Sequence, residues 1–233
     1  MNFKTQFAIL FTLMEIKYLG HSSFLIKTKT AKLVTDPYDP EMVGIKFPKT
    51  EADIVTVSHH HKDHDNIQAV LKPQTGEQLI IDMPGEFECK GIRIFGYLSY
   101  HDKTKGSERG ENILYKIEAE GVTLLHCGDL GYLPEDSFLD SLGDIDVLFV
   151  PTGGFYTIDE SEAAELVKKI EPSIVIPMHF NHSHLNQKGF GKLSSVDKFL
   201  EKMGVEKAVP EPKLVVKKEN LQDVEMKVVV LEI

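Results

Sequence analysis

Apolar and polar positions alternate in two different ways along this chain. Over residues 15–37 the segments EIKYLG, SFLIKT and AKLVTDP carry period-two patterns broken by turn residues, which predicts an antiparallel opening of short strands. ADIVTVSH (52–59), EQLIIDMPG, GIRIFGYLSYH, NILYKIEAEG and VTLLHCGD continue with strand-like runs punctuated by Gly and Pro. The pattern then changes. IDVLFVPTGG (145–154) and SIVIPMH (173–179) are continuous apolar runs, as expected of strands buried on both faces. Between them DESEAAELVKKIEP (159–172) predicts a helix: Asp159 is the cap, Glu162 completes a capping box and Pro172 follows the last turn. SSVDKFLEKMG (194–204) predicts another, opened by serine and stopped by Gly204, and KLVVKK and MKVVVLEI are closing strands.

Two successive sheet-forming halves with helices outside them predict an α/β fold, a four-layer αββα sandwich. A doubly wound parallel sheet fits less well, because the first half offers hairpins and not crossover helices. No solenoid-length repeat or low-complexity linker divides the chain, so residues 14–233 read as a single domain. FAILFTL (7–13) is too short to span a bilayer and lacks the flanks of a signal peptide. Because MEIKYLG directly behind it already reads as a strand, residues 1–13 form an N-terminal extension in this reading, with Met14 as an alternative start. N-terminal mass spectrometry of native protein separates the two.

Composition narrows the class. With 233 residues and 42% hydrophobic content the chain can bury a sizeable core. Its net charge of −10 suits a cytoplasmic protein and argues against a nucleic-acid partner, since phosphate contacts need clustered Lys and Arg. No membrane partner is expected, and homo-oligomerisation is left open. Cys89 and Cys127 are too few for a disulfide framework and read as small buried apolar residues in a reducing compartment.

The stretch SHHHKDHDN (58–66) changes the picture most, with four histidines and two aspartates in nine positions. Such groups repel when charged and are expensive to bury unpaired. A divalent cation removes that cost, because it takes neutral imidazoles and ionised carboxylates as ligands. DIVTVS reads as a strand ending near Ser58. Where the chain stays extended, His59 and His61 point the same way and can reach one ion. Asp65 and Asn66 are candidate caps for a helix over IQAVLK, which puts Asp63 and His64 in the turn entering it, facing a second ion. A solvated histidine-rich loop is the bland alternative, but it gives no reason for this order of residues.

The arrangement His59-x-His61-x-Asp63-His64 after an apolar strand resembles the metal signature of the metallo-β-lactamase superfamily, whose αββα fold agrees with the pattern above. YLGHSSFLI (18–26) and VTDP (34–37) resemble its lactonase-like and phosphodiesterase-like hydrolases, and the whole is similar to their small bacterial and archaeal relatives of UPF0173 type. The resemblance implies further ligands at later strand ends. Asp129 in CGDLG matches the bridging aspartate, and His179 in SIVIPMHF the last histidine. His101, ending GIRIFGYLSYH, is the choice for the third histidine, although the Gly-His-Thr motif of many relatives is absent. His126 competes, but it stands inside a strand, where it packs or orients Asp129. The implied centre has His59, His61 and His101 on one ion, Asp63, His64 and His179 on the other, and Asp129 between them. Two divalent ions per chain are expected, Zn2+ first, with Mn2+ or Fe as alternatives that spacing cannot separate.

Around this set, Asp36 is a candidate to accept a hydrogen bond from a liganding imidazole, with a turn residue as its alternative. His21 points into the site or is a polar edge residue. His182 and His184 read as a surface loop, with substrate contacts as the alternative. Lys103, Lys105 and Arg109 follow His101; Arg109 suits a phosphate or carboxylate beside the ions, while a charged, solvated loop is the plainer reading.

The expected function is metal-dependent hydrolysis of a small ester, lactone or phosphodiester by a dinuclear metal-activated hydroxide, with Asp63 managing a proton. By resemblance and length, the larger relatives are set aside: no inserted domain marks an RNA-processing nuclease, no flavodoxin-like segment a di-iron reductase, no added helical domain a thioesterase of the glyoxalase II type. Two other classes compete, a non-catalytic metal-binding or sensing protein and a single-iron oxygenase. Metal content separates them.

Overall fold

A computed structural model describes residues 13–74, 76–221 and 225–233; residues 1–12 of the N-terminal extension lie outside the described residues. In chain order the first strands are β1 (Met14–Gly20), β2 (Ser23–Lys27), β3 (Lys32–Thr35), β4 (Thr50–Glu51), β5 (Ile54–Thr56), β6 (Val70–Leu71) and β7 (Leu79–Ile81). Next come β8 (Gly85–Cys89), β9 (Ile92–Tyr100), β10 (Glu111–Ala119) and β11 (Val122–His126). The last are β12 (Val147–Pro151), β13 (Ile174–Met178), β14 (Leu214–Val216) and β15 (Lys227–Val228). The α-helices are α1 (Pro40–Val43), α2 (Asp136–Leu142), α3 (Glu160–Ile170), α4 (Gln187–Phe190) and α5 (Val196–Lys202).

One sheet runs β14-β1-β2-β3-β5-β7 and the other β15-β13-β12-β11-β10-β9-β8, with β4 and β6 as a separate pair. The hairpins expected from the alternating segments form: β1, β2 and β3 are antiparallel neighbours, as are β8 to β11. The two apolar runs become β12 and β13, parallel and buried at every residue. The first sheet departs from a pure meander, because β3, β5 and β7 are parallel, with α1 and β4 in the first connection and β6 in the second.

The two sheets face each other across one core. Phe24, Ile26, Leu33 and Ile54 of the first sheet meet Ile94, Tyr115, Ile117 and Phe149 of the second. Each such apolar side chain contributes roughly 1.5–3 kcal/mol by leaving water. Tyr115 also pins the layers through its hydroxyl, 3.0 Å from the carbonyls of both Val57 and Ile81. Helices α3 and α5 add Leu166, Val167, Phe199 and Leu200 to this core. α3 carries the expected capping box between Asp159 and Glu162.

Beside the first sheet a second cluster holds Val34, Val55 and Val57 with Val43 of α1 and Phe190 of α4. The helix expected over residues 67–72 does not form. Residues Ile67–Ala69 make a single 3-10 turn without a side-chain cap from Asn66, and Val70–Leu71 instead pair with Thr50–Glu51 as β6 and β4. Helix α2 belongs to no predicted segment. Among the described residues no helix is long and apolar enough to cross a membrane.

Candidate metal centre

Every candidate ligand stands just beyond a strand, where the backbone leaves the ladder and the side chain is free to turn inward. The loop after β5 carries His59, His61, Asp63 and His64; His101 follows β9, Asp129 follows β11 and His179 follows β13. Both sheets therefore deliver donors to one end of the sandwich. His21, Asp36 and His179 adopt left-handed backbone, with φ of 57°, 40° and 51°, a conformation that non-glycine residues occupy at a cost and that clusters at functional sites. His179 N–H donates to the His21 carbonyl at 2.9 Å, so two of these bends support each other.

The donors converge. His101 Nε2 and His179 Nε2 lie 3.1 and 3.2 Å from Asp129 Oδ2, and His64 Nε2 lies 3.3 Å from Asp129 Oδ1. His59 Nε2 is 3.9 Å from Asp129 Oδ2, and His59 and His61 have ring centroids 4.6 Å apart. Three sets of donor atoms lie within 4.8 Å of one another: His59, His61 and His101; His59, His64 and Asp129; and His21, Asp63, His64 and His179.

These residues fit cations. His59 Nε2, His64 Nε2, His179 Nε2 and Asp129 Oδ1 are buried without a hydrogen-bond partner, a costly state unless something else satisfies them. His179 Nε2 and Asp129 Oδ2 are at hydrogen-bond distance, yet their angles do not make a hydrogen bond. Two ligands on one tetrahedral ion with bonds of about 2.0–2.1 Å stand roughly 3.3 Å apart in just this relation.

Electrostatics point the same way. Burial, then repulsion from His64, holds His59 well below the ordinary imidazole range. Burial, then His101, lowers the more exposed His61 as well. Both are neutral near pH 7, as ligands must be. Burial would raise Asp129, but His179, His64 and His101 outweigh it and keep the carboxyl well below its usual range. Against the desolvation of full burial, Asp129 and Asp63 raise His64, so a proton and a cation compete for its Nε2.

A supporting layer fixes the donors. Asp36 is fully buried and accepts from Ser58 N at 2.7 Å, Ser58 Oγ at 2.6 Å and His64 Nδ1 at 2.9 Å, which leaves His64 Nε2 for the centre. The sequence left Asp36 between this role and a turn residue; the geometry places it against the imidazole. Ser58 Oγ also lies 3.0 Å from His59 Nδ1. His21 is fully buried with Nε2 3.1 Å from Asp63 Oδ2, so it stands inside the cluster and not at a polar edge. His126 is turned away: its Nε2 is 2.8 Å from the Ser22 carbonyl and its Nδ1 accepts from Gly128 N at 3.3 Å. The structure thus brings His101, not His126, to the other donors. His182 and His184 lie outside the donor sets.

Sequence reasoning missed Asn112. Its Oδ1 accepts from Asp129 N at 2.9 Å and its Nδ2 donates to the Cys127 carbonyl at 3.0 Å, holding the aspartate's loop from a neighbouring strand. Nothing in the sequence links these positions. Gly153 is required by close approach, because a Cβ there would stand 2.2 Å from the His179 carbonyl oxygen.

A cavity of about 410 Å3 opens over the donors, walled in part by Met42, Lys62, Arg109, Tyr156 and Phe190. Of the three cations after His101, Lys103 is drawn off to Glu162 at 2.5 Å, Lys105 is exposed, and Arg109 lines the cavity.

The Beta-lactamase superfamily domain model matches residues 15–179. A UPF0173 metal-dependent hydrolase of Thermoplasma acidophilum is 28% identical over 188 residues, which is 72% of this chain and 84% of that one. A Thermotoga maritima structure assigned to the Zn-dependent hydrolases of the metallo-β-lactamase superfamily is 32% identical, with a TM-score of 0.73 over 94% of this chain and 98% of that one. Igni18, a metallo hydrolase of Ignicoccus hospitalis, shares the fold at 24% identity and a TM-score of 0.63, covering 88% of this chain and 98% of its own.

Proposed function

The chain belongs to the β-lactamase superfamily, in its UPF0173 branch of metal-dependent hydrolases, and from that premise we propose that it hydrolyses a small ester, lactone or phosphodiester at a dinuclear centre. The observation that carries this reading is the pair of donor sets, His59, His61 and His101 beside Asp63, His64 and His179, with Asp129 within 4 Å of histidines from both. The His/Asp mixture suits Zn2+ first and Mn2+ or Fe next. When bound, such ions ionise a water near neutral pH and polarise the substrate's oxygen.

The protein's own groups supply the rest. Asp36 and Ser58 hold His64 and His59 in the ligating orientation. His21 steadies Asp63 through Oδ2, and Asp63 lines the cavity, where it can take up and return the proton released as the nucleophile attacks. Phe190 and Tyr156 on the same wall limit competing water. The proposed setting is the cytoplasm, supported by two free cysteines.

Elemental analysis of purified protein, coupled to ester, lactone and phosphodiester assays with and without chelator, tests this. Two ions per chain and turnover abolished by chelation or by Asp63→Asn are expected. One iron with oxygen consumption, or full turnover in Asp63→Asn protein, would overturn it.

A further inference from the structure

We propose that Arg109 is a specificity determinant, and that the substrate carries a terminal oxyanion group, carboxylate or phosphate, which this guanidinium receives while the scissile bond lies over the donors. The proposal rests on the hydrolase reading for the second half of that statement only.

The loop that bears Arg109 is built, not merely solvated. Asp102, a buried residue, accepts backbone N–H groups of Thr104 at 2.8 Å, Gly106 at 2.9 Å, Glu108 at 3.0 Å and Arg109 at 2.8 Å, together with the Thr104 hydroxyl at 2.8 Å. One end of the loop is the ligand His101, whose N–H donates to the Gly110 carbonyl at 3.1 Å. The Arg109 backbone is therefore fixed relative to the metal donors.

The side chain is fixed too, and its charge is unspent. The guanidinium carbon lies 4.9 Å from the centroid of the Tyr156 ring, and one terminal nitrogen makes a long contact of 3.5 Å with the Phe155 carbonyl. Among the described residues no carboxylate pairs with it. A guanidinium has five donors in a planar fork matched to carboxylate or phosphate, and a ring face orients that fork without neutralising it.

The surroundings select an anion. Arg109 and Lys62 line the cavity over the donors, and the acids lining it are Asp63 and Asp129, which belong to the donor sets. In a chain of net charge −10 the lining thus carries two cations besides the two acids committed to the donor sets. Met42, Tyr156 and Phe190 supply an apolar wall for a short linking segment. A second cavity, of about 470 Å3, also touches Arg109 but is lined by Asp82 and Glu111, acids that belong to no donor set, so the anion belongs in the first.

The test compares three esters with one leaving group: 4-nitrophenyl butyrate, mono-4-nitrophenyl glutarate and 4-nitrophenyl 4-phosphooxybutyrate. Wild-type protein should prefer the anionic esters in kcat/KM by at least about tenfold, and Arg109→Gln should reduce that preference about ten- to a hundredfold. Arg109→Lys should keep part of it. Lys103→Gln makes the same charge change on the same loop, away from the cavity, and should keep all of it. Which anionic ester is favoured tells carboxylate from phosphate. Binding is measured apart from turnover, by titration calorimetry with the corresponding anilides. If no ester turns over but the anionic anilides bind at least tenfold tighter through Arg109, the hydrolase reading fails and this one stands. Equal affinity for neutral and anionic anilides, or a preference that survives Arg109→Gln, would overturn it.

Discussion

Replacing Asp36 by asparagine isolates what the buried carboxylate does for its imidazole. The side chains are nearly isosteric, and asparagine tolerates the left-handed backbone at φ 40°, so no new strain is introduced. The hydrogen-bond pattern cannot survive. Oδ1 accepts from Ser58 N, and Oδ2 accepts from both Ser58 Oγ and His64 Nδ1. An amide NH2 at either place faces a donor. If it takes the Oδ2 place, His64 must move its proton to Nε2 and lose its ligand lone pair. If it takes the Oδ1 place, the buried Ser58 N–H is left unpaired and His64 keeps only a neutral acceptor. Either outcome removes at least one buried, charge-assisted bond, a loss of about 1.5–3 kcal/mol in unfolding free energy. Metal affinity should fall about 10- to 100-fold, as it does when the partner of a liganding histidine is removed. Urea unfolding of metal-free protein reads the first quantity and chelator competition the second. Asp53→Asn is the control: Asp53 accepts from Lys32 N at 2.8 Å and pairs with Lys90, and it belongs to none of the donor sets. Wild-type metal affinity in the Asp36→Asn protein, or an equal loss in the control, would refute the reasoning.

Other consequences are as concrete. His101→Ala should lower metal content while His126→Ala retains it and loses stability, about 1–3 kcal/mol for the lost bond to the Ser22 carbonyl, which keeps only the Thr35 hydroxyl at 3.2 Å, and for the space left in a buried site; metal analysis and denaturation separate the two. Gly153→Ala places a Cβ against the His179 backbone, which has no flexible end to give way; stability should fall by about 1–3 kcal/mol and metal content with it, both measurable on one preparation. Burial, then His179, pushes His21 down to about 4 in the folded protein, with Asp63 opposing, whereas the unfolded value is about 6.5. The unfolded chain then takes up the proton first, so stability is complete above the unfolded value and is lost as pH falls toward the folded one. The difference is roughly 3 kcal/mol, and metal-free His21→Gln protein should show a flatter urea midpoint between those limits.

What could be read in the chain was what lies close together in it. His59, His61, Asp63 and His64 are local, and Asp129 and His179, which follow apolar strands, are picked out by the resemblance to the metallo-β-lactamase superfamily. The same reasoning failed where distant residues decide. Ile67–Leu71 has apolar residues enough for a helix, but Val70 and Leu71 find a strand partner at Thr50 and Glu51, and tertiary pairing overrides local preference. His21 is a candidate from the sequence, but its pairing with Asp63, 42 residues away, is not legible there, and Asn112 reaches Asp129 across neighbouring strands. No periodicity encodes those contacts. Helix α2 was legible in principle, since Glu135 and Asp136 precede its apolar residues and Gly143 ends it.

Donors hung from both sheets make the centre more than a place for chemistry. A cation gripped by His64 from one layer and His179 from the other would be a rivet between halves of the molecule that otherwise adhere at that end through apolar side chains and a few hydrogen bonds. Stripped of it, the sandwich should part first along this rim, and amide exchange at the β5 and β13 ends should quicken in step, long before the far rim loosens.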